Sequence, residues 1–154
     1  MVTSIPRCAV SEMIGFLEIL NDYNGAEDIA RLAGDYGMEI DEILPAVEMA
    51  EALKFVTISE GNVYLTDYGK KFIKTNIEER KDLIRQSLSE MLVFKMVMNT
   101  INKAPDRRIA SSDLIPILQL VSKHPEKHLR TIINWGRYAQ LFKYESTTDE
   151  IIGI

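Results

Sequence analysis

The feature that most restricts the fold is a change of hydrophobic period after three helical segments. Apolar side chains recur at helical spacing in residues 11–20, 26–33 and 41–53. Residues 55–59 are instead rich in β-branched and aromatic side chains, and a polar turn separates them from a second apolar run at 63–65. This order predicts three helices followed by a β-hairpin, which is the arrangement of a winged helix-turn-helix.

The second half of the sequence repeats this order of elements without repeating the residues. A helical pattern runs from Ile77 to about Asn102 and leaves room for a kink in its middle. Beyond it, the pattern predicts a short strand at 108–110, a helix that Ser111 or Ser112 caps, a helix that starts at Pro125, and a closing hairpin that begins near Leu141.

The predicted fold class is therefore mainly α with small β-hairpins, an α+β protein. It consists of tandem winged helix-turn-helix units that share a long connecting helix. Residues 8–76 form the first winged-helix unit, and residues 77–154 form the long helix plus a second winged-helix-like unit. No Gly-, Pro- or Ser-rich linker separates them, so we expect one compact body.

Composition excludes several classes of protein. The chain has 154 residues, 46% of them hydrophobic, which is typical of a globular protein. Its net charge of −5 excludes a surface that is basic throughout. The charge is uneven, because residues 1–75 carry 6 basic and 13 acidic side chains, whereas residues 76–154 carry 12 and 10. A single cysteine, no early signal-like apolar run and no spanning segment predict a cytoplasmic protein without membrane insertion.

Motifs for catalysis are missing from the sequence. It has neither the glycine-rich loops that bind nucleotide phosphates nor a nucleophile elbow, and Cys8 stands in no catalytic motif. His124 and His128 lie four positions apart and could share one metal ion, but zinc needs three or four protein ligands. We therefore predict that the protein is not an enzyme, and that it uses no cofactor and no metal.

The third helix of each unit carries a candidate binding surface. In the first unit this helix is acidic through Asp41, Glu42, Glu48 and Glu51, which would repel phosphates and suit a protein partner. In the second unit the equivalent helix at 126–138 presents polar and basic side chains. They are Lys127, Arg130, Thr131, Asn134 and Arg137. This composition suits DNA, although it is also what the solvated face of a core helix contains. Gly136 on that helix indicates the close approach of another group.

Several stretches together resemble a known family. The most distinctive is Ile133–Ala139, with the sequence Ile-Asn-Trp-Gly-Arg-Tyr-Ala. The others are Ile14–Leu20, Gly25–Leu32, Asp41–Pro45, Thr66–Phe72, Asn76–Lys81 and Leu141–Tyr144. Over residues 8–153 the chain is similar to the AAA-associated C-terminal domain, which typically follows the ATPase domain of nitrate/sulfonate/bicarbonate-type ABC transporters. The resemblance implies an accessory module and supplies no catalytic residue. Because these 154 residues contain no ATPase motif, we expect a free-standing relative.

Two functions of different classes follow. The first is a regulatory module that docks on a protein partner, such as an ABC-type transport ATPase. The alternative is a DNA-binding transcriptional regulator that uses the helix at 126–138. The helical pattern at 77–102 could also pair two copies into a homodimer. An enzyme has no motif to support it.

Overall fold

The computed structural model describes residues 5–154 and divides the chain into two compact units. Residues 8–80 form the first unit, and residues 81–154 form the second together with the described residues that precede Cys8. Within the described residues the chain is mostly helical, with two small three-stranded antiparallel sheets, which confirms the predicted α+β class. No helix in this range is long and apolar enough to cross a membrane.

The first unit consists of a helix, a short strand, two helices, a hairpin and a further helix. These are α1 (Val10–Asp22), β1 (Ala26–Asp28), α2 (Ile29–Asp35), α3 (Ile40–Ala52), β2 (Val56–Ser59), β3 (Asn62–Leu65) and α4 (Asp67–Lys74). The sheet has the order β1-β3-β2. Glu60 and Gly61 close the hairpin, and both have positive φ, as a tight two-residue turn requires.

The core of the first unit lies under this sheet and continues to α4. Met13 and Leu17 of α1 and Val47 of α3 are fully buried. The ring of Phe55 packs between two aromatic side chains of α4, with its centroid 5.0 Å from that of Tyr68 and 4.6 Å from that of Phe72. These contacts fix the hairpin against the helices, since buried aromatic rings contribute both area and specific geometry.

The second unit repeats the element order of the first. Its elements are α5 (Ile77–Glu90, shared across the unit boundary), α6 (Leu92–Lys103), β4 (Arg108–Ala110), α7 (Ile115–Gln119), α8 (Pro125–Tyr138), β5 (Phe142–Glu145) and β6 (Glu150–Gly153). Its sheet order is β4-β6-β5, so the last strand of each unit lies between the other two. Each hairpin has four paired positions, and each first strand has three. The assignment of both units to winged helices stays a prediction.

The helical pattern over 77–102 forms two helices, and the kink for which the sequence left room is a break between α5 and α6. The helix is interrupted at Met91, whose backbone is extended (φ −76°, ψ 133°), and α6 starts after it. The buried residues explain the break. Ile84 and Val93 are both buried. In an unbroken helix they would lie on opposite faces, since nine residues at about 100° each turn the chain by half a revolution beyond two full turns.

The prediction of a helix from residue 26 is wrong at its start. Ala26, Glu27 and Asp28 form β1, which pairs with β3. The helix begins only at Ile29, where the Asp28 carboxylate accepts a hydrogen bond from the Arg31 backbone N–H at 2.9 Å. Pairing with β3 decides the conformation of these three residues, because three mostly polar residues have no strand period of their own.

Candidate functional site

The acidic face predicted on α3 is exposed at all four positions. Asp41 and Glu48 are seven residues apart and therefore lie on one side of the helix, with Glu51 one turn further along. Glu42 has a different role, because its Oε1 accepts a hydrogen bond from the Glu39 backbone N–H at 2.8 Å. That bond caps the start of α3, so Glu42 stabilises the helix that carries the other three carboxylates.

Two large apolar side chains are exposed at the two ends of the turn that leads into α3. Tyr36, which ends α2, is 47% exposed, and Ile40, the first residue of α3, is 43% exposed. Exposed aromatic and aliphatic side chains next to charges are typical of protein-binding surfaces. The sequence pattern did not identify either residue as part of the face, since both fall at the turn between two helices.

The polar residues predicted on α8 form one stripe. Lys127, Arg130, Asn134 and Arg137 are exposed and Thr131 is half-buried. At about 100° per residue these five side chains occupy about a third of the helix circumference. The opposite side of α8 is core. Trp135 is completely buried, and an ideal Cβ on Gly136 would lie 2.1 Å from Cζ of Phe142. This contact confirms the predicted close approach at Gly136.

A cleft of about 430 Å³ lies between α8 and the β5–β6 hairpin. Arg130 and Asn134 line it from the helix, and Tyr144 and Asp149 line it from the hairpin. The Tyr144 hydroxyl donates to Oδ1 of Asp149 at 2.6 Å. This hydrogen bond and one from Ser111 lower the pKa of Asp149, whereas the bond to Asp149 raises the pKa of Tyr144. Glu126 and Asp149 place negative charge opposite Arg130, so this cleft favours no simple anion.

A second cleft, of about 790 Å³, opens at the C-terminal end of α8. Three cationic side chains line it: Arg85 from α5, Arg137 from α8 and Lys143 from β5. The rings of Phe142 and Tyr144 and the side chain of Ile154 supply apolar surface. No aspartate or glutamate belongs to its lining. Sequence reasoning missed Arg85, Lys143 and Tyr144, because only the folded chain brings α5, α8 and the hairpin together.

The side chains of His128 and Cys8 form contacts within the fold. Nδ1 of His128 lies 2.5 Å from Oγ of Ser122, and residues 5–154 contain no group of three or more side chains suited to a metal. The Cys8 thiol is buried and donates to the Ala9 carbonyl at 3.2 Å. Burial, with the nearby Glu12 carboxylate, raises its pKa to about 12. The thiolate is the reactive form, so Cys8 is a poor nucleophile at neutral pH.

These features define an α+β protein whose candidate site is a polar interaction surface. Comparison with known proteins then identifies the family. Residues 30–145 match the model of the C-terminal AAA-associated domain, and the chain belongs to that family. The match confirms, over residues 30–145, the resemblance to the AAA-associated C-terminal domain that the sequence indicated. No curated protein and no solved structure matches the chain.

Proposed function

We propose that this protein is a non-enzymatic regulatory module that docks on an ABC-type transport ATPase. The observation that carries the proposal is the family match over residues 30–145, since the family is that of a domain associated with AAA-type ATPases. The order of helix, strand, two helices and hairpin in each unit supports the assignment to tandem winged helices. The proposal includes a cytoplasmic location, where the Cys8 thiol would stay reduced.

The docking surface in this proposal is the acidic face of α3. Asp41, Glu48 and Glu51 present negative charge, and the exposed side chains of Tyr36 and Ile40 present apolar area next to it. Apolar and aromatic contacts supply most of the affinity of such an interface, while the charges steer the encounter and exclude wrong partners. The partner surface would therefore be basic around an apolar depression.

Photo-crosslinking in cells of the organism that naturally produces the protein tests the proposal. A photoreactive residue at Glu48 of the full chain is expected to cross-link an ATPase with a nucleotide-binding P-loop. The same residue at Asp22, which is exposed at the end of α1, is the matched control and is expected to give little of that product. Recovery of the same proteins from both positions, or of no ATPase, would contradict the proposal.

The contribution of charge to the affinity can then be measured with the purified protein and the purified ATPase. Glu48→Lys combined with Glu51→Lys is expected to weaken binding to that ATPase by about tenfold or more, because the two changes reverse the charge that the partner meets. Asp22→Lys changes an exposed acid of the same unit elsewhere and is expected to leave the affinity within about twofold.

The alternative function, DNA binding through α8, has its own supporting observation. Lys127, Arg130, Asn134 and Arg137 form one exposed stripe beside the β5–β6 hairpin, which also presents Lys143. Fluorescence anisotropy with a labelled duplex at several salt concentrations tests it. If the cationic side chains contact phosphates, alanine substitution of Lys127, Arg130 or Arg137 should each reduce the slope of log K against log salt by about 1. Absence of binding at low salt would exclude the alternative.

Self-association is a separate proposal. The helical region α5–α6 could pair two copies, and exposed Leu92 (46%) adds apolar area there. Light scattering of the purified chain over a range of concentrations would distinguish a dimer from a monomer, and Leu92→Glu would weaken a dimer that forms through α6.

A further inference from the structure

The cleft at the C-terminal end of α8 has an unusual electrostatic lining. Within residues 5–154, neither Arg137 nor Lys143 has a carboxylate within 4 Å. Arg85 is held in place, since it forms an ion pair with Asp82 and donates to the Ala139 carbonyl at 3.2 Å. Two unpaired cations and one positioned guanidinium therefore border a single cleft. Their mutual repulsion would fall when an anion binds between them.

Several main-chain oxygens near this cleft already accept hydrogen bonds. The main-chain oxygen of Ile154 accepts a hydrogen bond from Arg107. The carbonyls at the end of α8 are also occupied, because Gln140 N–H donates to the Arg137 oxygen at 3.2 Å and Leu141 N–H donates to the Gly136 oxygen at 2.9 Å. The Arg137 and Arg130 guanidinium charges also act on the Tyr144 hydroxyl, where they oppose the rise in its pKa. The charged side chains that line the cleft are all cationic.

The apolar part of the lining restricts the ligand further. Phe142 forms the buried floor at 1% exposure, Tyr144 is half-buried, and Ile154 is 60% exposed at the edge. A volume of about 790 Å³ lies in the range of small-molecule sites, which combine apolar walls with a few directed polar groups. A ligand that has both an oxyanion and an apolar body would use both parts of the cleft.

We propose that this cleft binds a small organic anion, with an oxyanion head group between Arg137 and Lys143 and an aromatic or aliphatic body against the accessible side chains of Tyr144 and Ile154. Gln140, at the mouth, can donate a further hydrogen bond to the head group. Anion binding in this cleft does not require a protein partner on the acidic face of α3.

Calorimetric and NMR titration of the full chain with phenyl phosphate tests this proposal. Saturable one-to-one binding is expected, with amide shifts at Gln140, Lys143 and Tyr144. Lys143→Ala and Arg137→Ala should each weaken binding by about tenfold, the loss expected for one charged hydrogen bond. Lys123→Ala is the control, because Lys123 is an exposed cation of the second unit outside the cleft lining, and it should leave the affinity unchanged.

Two further probes distinguish the sources of binding energy. Inorganic phosphate should bind more weakly than phenyl phosphate because it lacks the apolar body, and phenol should not bind because it lacks the charge. Absence of saturable binding, equal binding of both phosphates, or an equal loss in Lys123→Ala would overturn the proposal. A different result would also overturn the proposal: the chain binds duplex DNA but not phenyl phosphate, and Arg137→Ala and Lys143→Ala abolish the DNA binding. If Arg137→Ala fails to fold, the exposed Lys143 decides the outcome.

Discussion

Gly136 is the residue at which a single methyl group has the clearest expected effect. An added Cβ would lie 2.1 Å from Cζ and 2.3 Å from Cε2 of Phe142, whose ring is buried. The ring cannot move without disturbing the hairpin that follows α8. We expect Gly136→Ala to lower the free energy of unfolding by about 1–3 kcal/mol, as overpacked cores do. Urea denaturation followed by circular dichroism measures it.

Gly15 provides the matched control for that substitution. It lies inside α1, and an added Cβ there would meet nothing within 4 Å. Gly15→Ala should therefore raise the free energy of unfolding by about 0.5–1 kcal/mol through helix propensity alone. Equal shifts of the urea midpoint in both variants would show that contact with Phe142 is not the cause.

The raised pKa of the Tyr23 hydroxyl predicts how stability depends on pH at the alkaline end. Its hydroxyl donates to Oδ2 of Asp35 at 2.7 Å, and this bond is the main reason that its pKa is raised to about 12. The native state therefore holds the Tyr23 proton more tightly than the unfolded chain. The stabilisation is fully present below the unfolded pKa of about 10 and is lost as the pH rises through the folded value.

Asp35→Ala should lower the pKa of Tyr23 towards the ordinary value of tyrosine, because both the acceptor and the negative charge are removed. Ring resonances in a spectroscopic pH titration follow Tyr23 separately from the other tyrosines, and Tyr23→Phe assigns them. Tyr144, whose hydroxyl is bonded to Asp149 instead, should keep its titration in the Asp35 variant. An unchanged Tyr23 titration would show that Asp35 is not responsible.

The side chain of Thr66 connects the hairpin region to the start of α4. Its Oγ1 accepts a hydrogen bond from the Gly69 backbone N–H at 3.0 Å, which caps α4, and donates to the Lys54 carbonyl at 2.8 Å. We expect Thr66→Ala to lower the free energy of unfolding by about 1–2 kcal/mol. Thr66→Ser keeps the hydroxyl and should recover most of the loss, so equal urea midpoints for the two variants would refute the capping role.

The helices and strands that could be predicted from the sequence are those that depend on residues close together in the chain. The Thr66 cap and both hairpins follow from a side-chain oxygen at a helix start and from apolar runs around polar turns, and the structure confirms them. The strand β1 and the break at Met91 depend on tertiary contacts. One requires β3 as a pairing partner, and the other allows both Ile84 and Val93 to be buried.

The candidate site was predictable to a similar extent. The exposure of the α3 acids and of the α8 stripe follows from helical periodicity, because polar residues at that spacing share the face opposite the core. The clefts beside α8 could not be predicted in this way. Tyr144 borders both of them, and it reaches that position only when the β5–β6 hairpin folds back over α8. Arg85 comes from a different helix altogether.

Across the whole chain, the two proposed binding surfaces differ in charge and belong to different units. The acidic face of α3 belongs to residues 8–80, while the basic stripe and the proposed anion cleft belong to residues 81–154. An average net charge of −5 conceals this division. A partner protein at one unit and an anionic ligand at the other would then meet surfaces of opposite sign, so neither ligand would compete electrostatically for the site of the other.

Cooperativity of unfolding is the property that belongs to the molecule as a whole. The boundary between the units falls within α5, which is a continuous helix there. On one side Arg80 donates to the Phe72 and Ile73 carbonyls at 3.1 and 3.0 Å, and on the other Ile84 and Leu88 are completely buried. Because helix formation is cooperative along the chain, loss of either anchor would fray the helix that the other unit needs.

We therefore predict that the chain unfolds as one body. Trp135, the single tryptophan, is buried in the second unit, so its fluorescence reports that unit, whereas circular dichroism at the helix band reports both units. The two urea transitions should coincide, as they do for a two-state protein. In Gly136→Ala both midpoints should fall together. A fluorescence transition that moves to lower urea while part of the helical signal stays at the original midpoint would instead show two units that unfold independently.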